Sequence, residues 1–386
     1  MKIALVSGAL ANKPYNGGAA WTRLNYILGL RKLGFDVYFV EQIQPKVCVD
    51  EVGREVAFQD SVNLSYFNKV MAQFDLSDRS TLICGEGEQV HGSDYRRLIE
   101  IAGDSALLLN ISGHLDLDRF KNCMAVKAYL DLDPGYTQFW ETTGQCAGLA
   151  GHDYYFTVGE NIGSEECSIP VNGIHWRPTR QPVVLEQWKV STEGDAGLFT
   201  TVASWRGPFG PIESSGKTLG AKVRQFRKYV SLPSNLSERF EVALDIDPAD
   251  ERDRDLLRRN SWNIVDPRAT VPDPLTFRQY VRTSGAEFSV AQQIYVETSS
   301  GWFSDRSVRY LASGKPVLVE DTGFSRNYPT GEGLLAFSSL DQAIAGVKDI
   351  TRSYSRHAEA ARTIAETYFD SDRVLGGLVD QMGICS

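Results

Sequence analysis

Lys2-Ile3-Ala4-Leu5-Val6-Ser7 and Phe35-Asp36-Val37-Tyr38-Phe39-Val40 are two apolar runs, and the residues between them decide the fold. The first run stops at Gly8 and gives way to a breaker-rich loop, Ala9 to Gly18. Ala20, Leu24, Ile27, Leu28 and Leu30 then recur at helical spacing as far as Leu33, and Gly34 stands where a helix ends in glycine. Short apolar runs bounded by turn residues read as buried strands. Strand, helix and strand in this order form a βαβ unit, which implies parallel strands joined by a right-handed crossover.

The same rhythm extends outward. Ser80–Cys84, Ser105–Ile111, Ala125–Leu130 and Tyr154–Val158 are further strand candidates with helical stretches between several of them. That alternation predicts a doubly wound α/β domain. Residues 176–196, which begin Trp176-Arg177-Pro178 and include Gln181-Pro182 and Glu193-Gly194, break the rhythm and read as a connection between domains. Strand signals resume at Leu198–Ala203 and recur at Glu241–Asp245, Ala286–Val290, Pro316–Val319 and Leu334–Phe337. A helical segment, 307–313, ends at Gly314, and helices fill the chain from Ser339 to about Val379. The expected architecture is α/β, with two Rossmann-like doubly wound domains facing a cleft. Residues 1–180 form the first domain, 197–354 the second, and 355–386 a helix that returns to the first.

Composition narrows the function. The chain has 386 residues, more than one core usually organises, and 42% of them are hydrophobic. Forty Lys and Arg against 49 Asp and Glu leave a formal charge of −9, which argues against a partner such as nucleic acid or an anionic membrane. No apolar run approaches the roughly 18 residues of a spanning helix, and the N-terminus lacks the long apolar stretch of a signal peptide. Cys48, Cys84, Cys123, Cys146, Cys167 and Cys385 show no C-x-x-C pairing, as expected of reduced thiols in a cytoplasmic protein.

Trp302-Phe303-Ser304-Asp305-Arg306-Ser307-Val308-Arg309-Tyr310-Leu311-Ala312-Ser313-Gly314-Lys315-Pro316-Val317-Leu318-Val319 resembles the donor-site segment of GT-B glycosyltransferases. In that family a helix ending in a small-x-Gly-x-Pro-Val element leads into a strand, and the next loop meets the nucleotide-sugar. Here that loop is Asp321-Thr322-Gly323-Phe324. The first strand, the Gly17-Gly18 turn and the helix behind it resemble the opposite side of the family's cleft. The resemblance implies a metal-independent transfer of a sugar from a nucleotide-diphosphate donor to a hydroxyl-bearing acceptor, with no cofactor beyond the donor. One feature departs from the family. Many retaining members carry two glutamates eight residues apart, and this chain has Gly301 and Arg309 there.

A diphosphate needs backbone N–H groups and local cations. Ser300, Gly301 and Ser304 lie where the donor-side helix would begin, and Arg306 in its first turn could reach a phosphate. Asp305 could cap the helix or orient Arg306. Arg206, after the first strand of the second half, and Lys217, followed by Lys222, match in type and place the cations that such enzymes set on the diphosphate. The acceptor side offers Asp131-Leu132-Asp133-Pro134-Gly135 beyond an apolar strand, where doubly wound sheets gather their catalytic groups. Asp133 is the candidate general base, and one of the two carboxylates is expected to serve the turn instead. His114, in Ser112-Gly113-His114, is the rival base because imidazole titrates near neutrality. No ligand spacing supports a metal site. Glu41, at the end of the second strand, could suggest a dinucleotide enzyme, but no G-x-G-x-x-G follows the first strand, so Glu41 reads as a rim residue of the cleft. A sugar-nucleotide epimerase of the same fold and a non-catalytic nucleotide-sugar-binding protein are the alternative readings.

Overall fold

The computed structural model describes residues 2–384 apart from Pro208, Ser215 and Ala221, and the side chain of Lys217 also lies outside the described residues. Two parallel sheets organise the chain. The first contains β1 (Ile3–Ser7), β2 (Asp36–Ile43), β3 (Ser80–Cys84), β4 (Gln89–Gly92), β5 (Ser105–Ile111), β6 (Lys127–Asp131), β7 (Tyr154–Thr157) and β8 (Trp176–Pro178). Its spatial order is β4-β3-β2-β1-β5-β6-β7-β8, and only β4 runs antiparallel to its neighbour. The second contains β9 (Leu198–Ser204), β12 (Arg239–Asp245), β13 (Trp262–Val265), β14 (Ala286–Ser289), β15 (Val317–Glu320) and β16 (Leu334–Phe337), with a separate hairpin of β10 (Ile212–Ser214) and β11 (Lys217–Leu219). Its order, β13-β12-β9-β14-β15-β16, is fully parallel. Each sheet reverses direction of growth once, between β1 and β5 and between β9 and β14, and those switch points are where doubly wound sheets bind ligands.

Three differences from the sequence reading have physical causes. Trp176–Pro178, expected to begin the interdomain connection, is instead the outermost strand of the first sheet. It is three residues long, too short to show a period, and its proline sits at the sheet edge, where no partner needs its N–H. β4 was not anticipated because its side chains are mostly exposed. β13 and the hairpin are likewise too short for their patterns to register.

The first helix, Gly17–Lys32, is capped by Asn16, whose side chain accepts from the Ala19 N–H. Arg31 and Lys32 stand in its last turn, where the helix dipole favours positive charge. Most of its side chains are buried, which fits a helix enclosed on several sides. One continuous apolar cluster explains this. It runs from the first sheet through Trp21 and Trp188, whose rings meet edge-on at 4.9 Å, to the helix Asp305–Ala312 and the last helices of the chain. Two further clusters cover the outer faces of the sheets.

The C-terminal segment turns at Ala365–Phe369, where the helix widens to a π-turn, and continues as the helix Ser371–Gln381. Asp370 pairs with Val183 as a β-bridge, and Lys32 binds Glu186 and Asp372 at 2.7 and 3.0 Å. The last helix therefore lies on Gly17–Lys32 of the first sheet, with Leu375 against Gly29.

Candidate functional site

A cleft of about 590 Å3 opens beyond the carboxyl ends of both sheets. One wall is the loop Asn12–Asn16 after β1 with Leu132 and Asp133 after β6, and the other is Val202–Ser204 of β9 with Trp302, Asp305, Arg306 and Arg309.

The loop after β1 is held by a buried carboxylate. Glu41 accepts the N–H groups of Leu10, Ala11 and Asn12 at 2.8, 2.7 and 2.8 Å, and Asn63 donates to the Ala11 carbonyl at 2.8 Å. Burial pushes the Glu41 carboxyl up to about 7, against those N–H bonds and nearby Arg23. Glu41 is fully enclosed rather than a rim residue, and its work is to fix the loop that carries Lys13.

The two aspartates after β6 divide their roles. Asp131 is fully buried and accepts from Thr137, Gln138 and Thr157 at 2.7, 2.8 and 2.7 Å, and from the Asp133 N–H at 3.1 Å. Burial lifts its carboxyl to about 6. With its lone pairs committed to the turn, Asp131 leaves Asp133 as the carboxylate that faces the cleft. Burial raises Asp133 as well, opposed by the charges of Lys13 and Arg23 and by Tyr295 of the second half, whose hydroxyl donates to it at 3.3 Å. A carboxylate raised in this way binds a proton more readily, as a general base must.

His114 lies behind Lys13 and Arg23. Burial and then those two charges push its imidazole down to about 3. It is neutral and weakly basic through the physiological range, so titration near neutrality no longer argues for it as the base.

On the second wall, Arg306 is not at an open rim. Its Nε donates to Glu287 at 2.5 Å, Nη1 to the Val202 carbonyl at 2.7 Å and Nη2 to Ser289 at 2.5 Å. Asp305 binds Arg309 at 2.5 Å and also receives the Thr22 hydroxyl, so this wall is tied to the first helix. Ser304 caps the helix by accepting the Arg306 N–H, as a serine there should. Lys222, at the start of the short helix Lys222–Phe226, lies among Arg306, Glu287 and Glu320. Burial and then Arg306 push its ammonium down to about 7.

Of the residues singled out in the sequence, Gly18, Asp133, Asp305 and Arg306 line the cleft. Gly17 borders it, but its N–H donates to the Val271 carbonyl at 3.1 Å, and a Cβ there would fall 2.2 Å from the Asp273 carbonyl oxygen. That glycine is required by close approach of the two halves, not by a ligand. Arg206 points to a different partner: two guanidinium bonds to Asp250 hold it, and its side chain is 69% exposed. Lys217 begins β11, and its side chain is among those not described. Ser300, Gly301, Thr322 and Gly323 pack against the first-sheet loop. Asn161 donates its backbone N–H to the Ser300 carbonyl and its side-chain amide to those of Ser299 and Gly323, while the Gly301 N–H binds Thr322. Phe324 is buried against Phe303 and Tyr328. Sequence reasoning missed Lys13, Arg23 and Arg309 as cleft residues and Tyr295 as the partner of Asp133. The breaker-rich loop marked the place of Lys13, but helical spacing alone gives Arg23 and Arg309 the look of ordinary surface cations.

No protein-family model and no curated protein matches the chain. Solved structures do. An α-glucosyltransferase in complex with UDP is similar at 10% identity and a TM-score of 0.58, over 99% of this chain and 100% of that one. Sucrose-phosphate synthase from Thermosynechococcus elongatus is similar at 11% identity and a TM-score of 0.57, over 100% of both chains. HepE from Anabaena, in complex with UDP-glucose, is similar at 10% identity and a TM-score of 0.59, again over 100% of both. The chain has the GT-B fold of these glycosyltransferases from one end to the other.

Proposed function

We propose that the protein transfers a sugar from a uridine diphosphate sugar to a hydroxyl group of its acceptor. The observation that carries this reading is Asp133, a half-buried carboxylate beyond a parallel strand, set between two cation-bearing walls in a fold whose solved examples hold UDP and UDP-glucose. In this reading residues 197–354 hold the donor and residues 1–180 the acceptor, and the segment 355–386 braces the first part. Asp133 takes the proton from the attacking hydroxyl, and the buried Tyr295 hydroxyl orients it. Charge that develops on the departing diphosphate falls to Lys222 and Arg306, so the reaction needs no metal. The five described cysteines are free, which suits action in the cytoplasm.

The test has two readings. Titration calorimetry with UDP, GDP and ADP identifies the nucleotide, and release of UDP from UDP-glucose, with and without cell-extract acceptor fractions, reports transfer. UDP release that rises with an acceptor fraction supports the proposal. Isomerised donor without acceptor would make the protein an epimerase, and absence of binding by every nucleotide diphosphate would remove the reading altogether.

A further inference from the structure

Of the cations that line the cleft, Lys13, Arg23 and Arg268 have no ion pair among the described residues, and Arg268 is an exposed side chain that solvent can serve. Arg306 is paired with Glu287 and Arg309 with Asp305. Lys13 and Arg23 differ. Both line the cleft, and neither has a carboxylate at ion-pair distance among the described residues. Arg23 is only 5% exposed, yet its single hydrogen bond among those residues runs from Nη1 to the Ala19 carbonyl at 3.2 Å, and its buried Nε has none. The Lys13 ammonium makes none among the described residues either. Two of the nearby carboxylates are committed elsewhere, Glu41 to three backbone N–H groups and Asp305 to Arg309 and Thr22, and Asp133 acts on both cations without coming to ion-pair distance.

Holding two like charges together in a partly desolvated wall is costly unless an anion joins them. The placement is also built rather than incidental, because the Glu41 clamp fixes the loop that presents Lys13. A guanidinium and an ammonium side by side suit a dianionic, many-acceptor group better than a single carboxylate. They lie on the wall of Asp133, the group that takes the acceptor's proton in the reading above, whereas Arg306 and Arg309 are on the opposite wall, with Lys222 near Arg306.

We propose that Lys13 and Arg23 form a subsite for a phosphate monoester carried by the acceptor, so that the enzyme glycosylates a small phosphorylated compound. This rests on the sugar-transfer reading above for the word acceptor, though the subsite itself does not.

The probe is inorganic phosphate, titrated calorimetrically into the full chain, alone and saturated with UDP, above neutral pH where phosphate is largely dianionic. Saturable binding that persists with UDP present is expected. Lys13→Gln and Arg23→Gln should each weaken it by about ten- to a hundredfold, the scale of one charge-assisted hydrogen bond, and leave UDP affinity unchanged. Competition between phosphate and UDP, or loss of UDP affinity in a folded Lys13→Gln protein, would assign the cations to the donor and overturn the proposal. Diethyl phosphate, a monoanion, binding as well as phosphate would overturn its dianionic character. Because Arg23 is buried, near-ultraviolet circular dichroism checks that variant, and half-buried Lys13 decides the matter if Arg23→Gln fails to fold. Phosphate binding that depends on Lys13 in a protein that binds no UDP would sink the donor reading and leave the subsite standing.

Discussion

Asp131 and Asp133 are separated by one residue and share a turn, yet their surroundings give them different chemistry. Three side-chain donors and a backbone N–H saturate the first, and the cleft receives the second. Asp133→Asn keeps the shape and removes the proton-accepting charge, so turnover should fall by ~10²–10⁴-fold with UDP affinity retained. Asp131→Asn should instead lower the melting temperature, since an amide cannot accept from three donors at once. Rates and thermal unfolding measured on both variants separate the roles, and near-wild-type turnover in Asp133→Asn would remove it as base. Lys222 supports a second prediction. Its ammonium is charged below about 7 and neutral above it, and a diphosphate prefers the charged form. UDP affinity should therefore be greatest below pH 7 and decline as pH rises through that value. Lys222→Arg should flatten the decline, because a guanidinium stays protonated. Calorimetry across the range tests this, and a flat wild-type profile would place Lys222 outside the donor site. At this scale the sequence located Asp133 but not its partner Tyr295, because a contact between residues 162 positions apart leaves no local pattern.

At the scale of elements, strands were legible where they are buried on both faces and at least four or five residues long, as in β1, β5 and β14. Apolar runs of that kind need no partner to be recognised. Exposed β4 and three-residue β8 carry too little pattern, and only their ladders define them. The small-x-Gly-x-Pro-Val element also read correctly as helix then strand, with Gly314 at φ +70° in the left-handed region where glycine alone is unstrained. Its neighbouring loop, however, meets Asn161 of the first half rather than opening on the cleft. The last helix makes a prediction of its own. Leu375 is fully buried against the first helix, so Leu375→Ala should cost about 2–5 kcal/mol of stability, measured by denaturant unfolding. A loss below that range would mean that Ser371–Gln381 adds little to the packing of Gly17–Lys32.

Across the whole molecule, the halves meet through directional contacts as well as apolar ones. The Trp21 indole donates to the Pro274 carbonyl at 2.6 Å, the Gly17 N–H to Val271 at 3.1 Å, and Lys69 binds Asp273 at 2.8 Å. Asp305 and Arg309 close on Thr22 from the other side. In the proposed transfer the halves would part and close over the donor, and these contacts are the ones such a motion has to break. Lys69 is the contact to perturb, since Asp273 also caps the helix Pro274–Thr283 whereas Lys69 serves the seam alone among its described ion pairs. Its side chain is 56% exposed, so the pair belongs with surface salt bridges of roughly 0.2–1 kcal/mol. Lys69→Gln should then raise the opening equilibrium by about 1.5- to 5-fold. Amide hydrogen exchange reads this directly: residues 17–22 and 271–277 should exchange faster in the variant, by that factor, while β1 and β9 stay as protected as before. Saturating donor should slow exchange in both segments of either protein. Unchanged exchange in both segments, with the variant and with donor alike, would show that the halves do not part along this line.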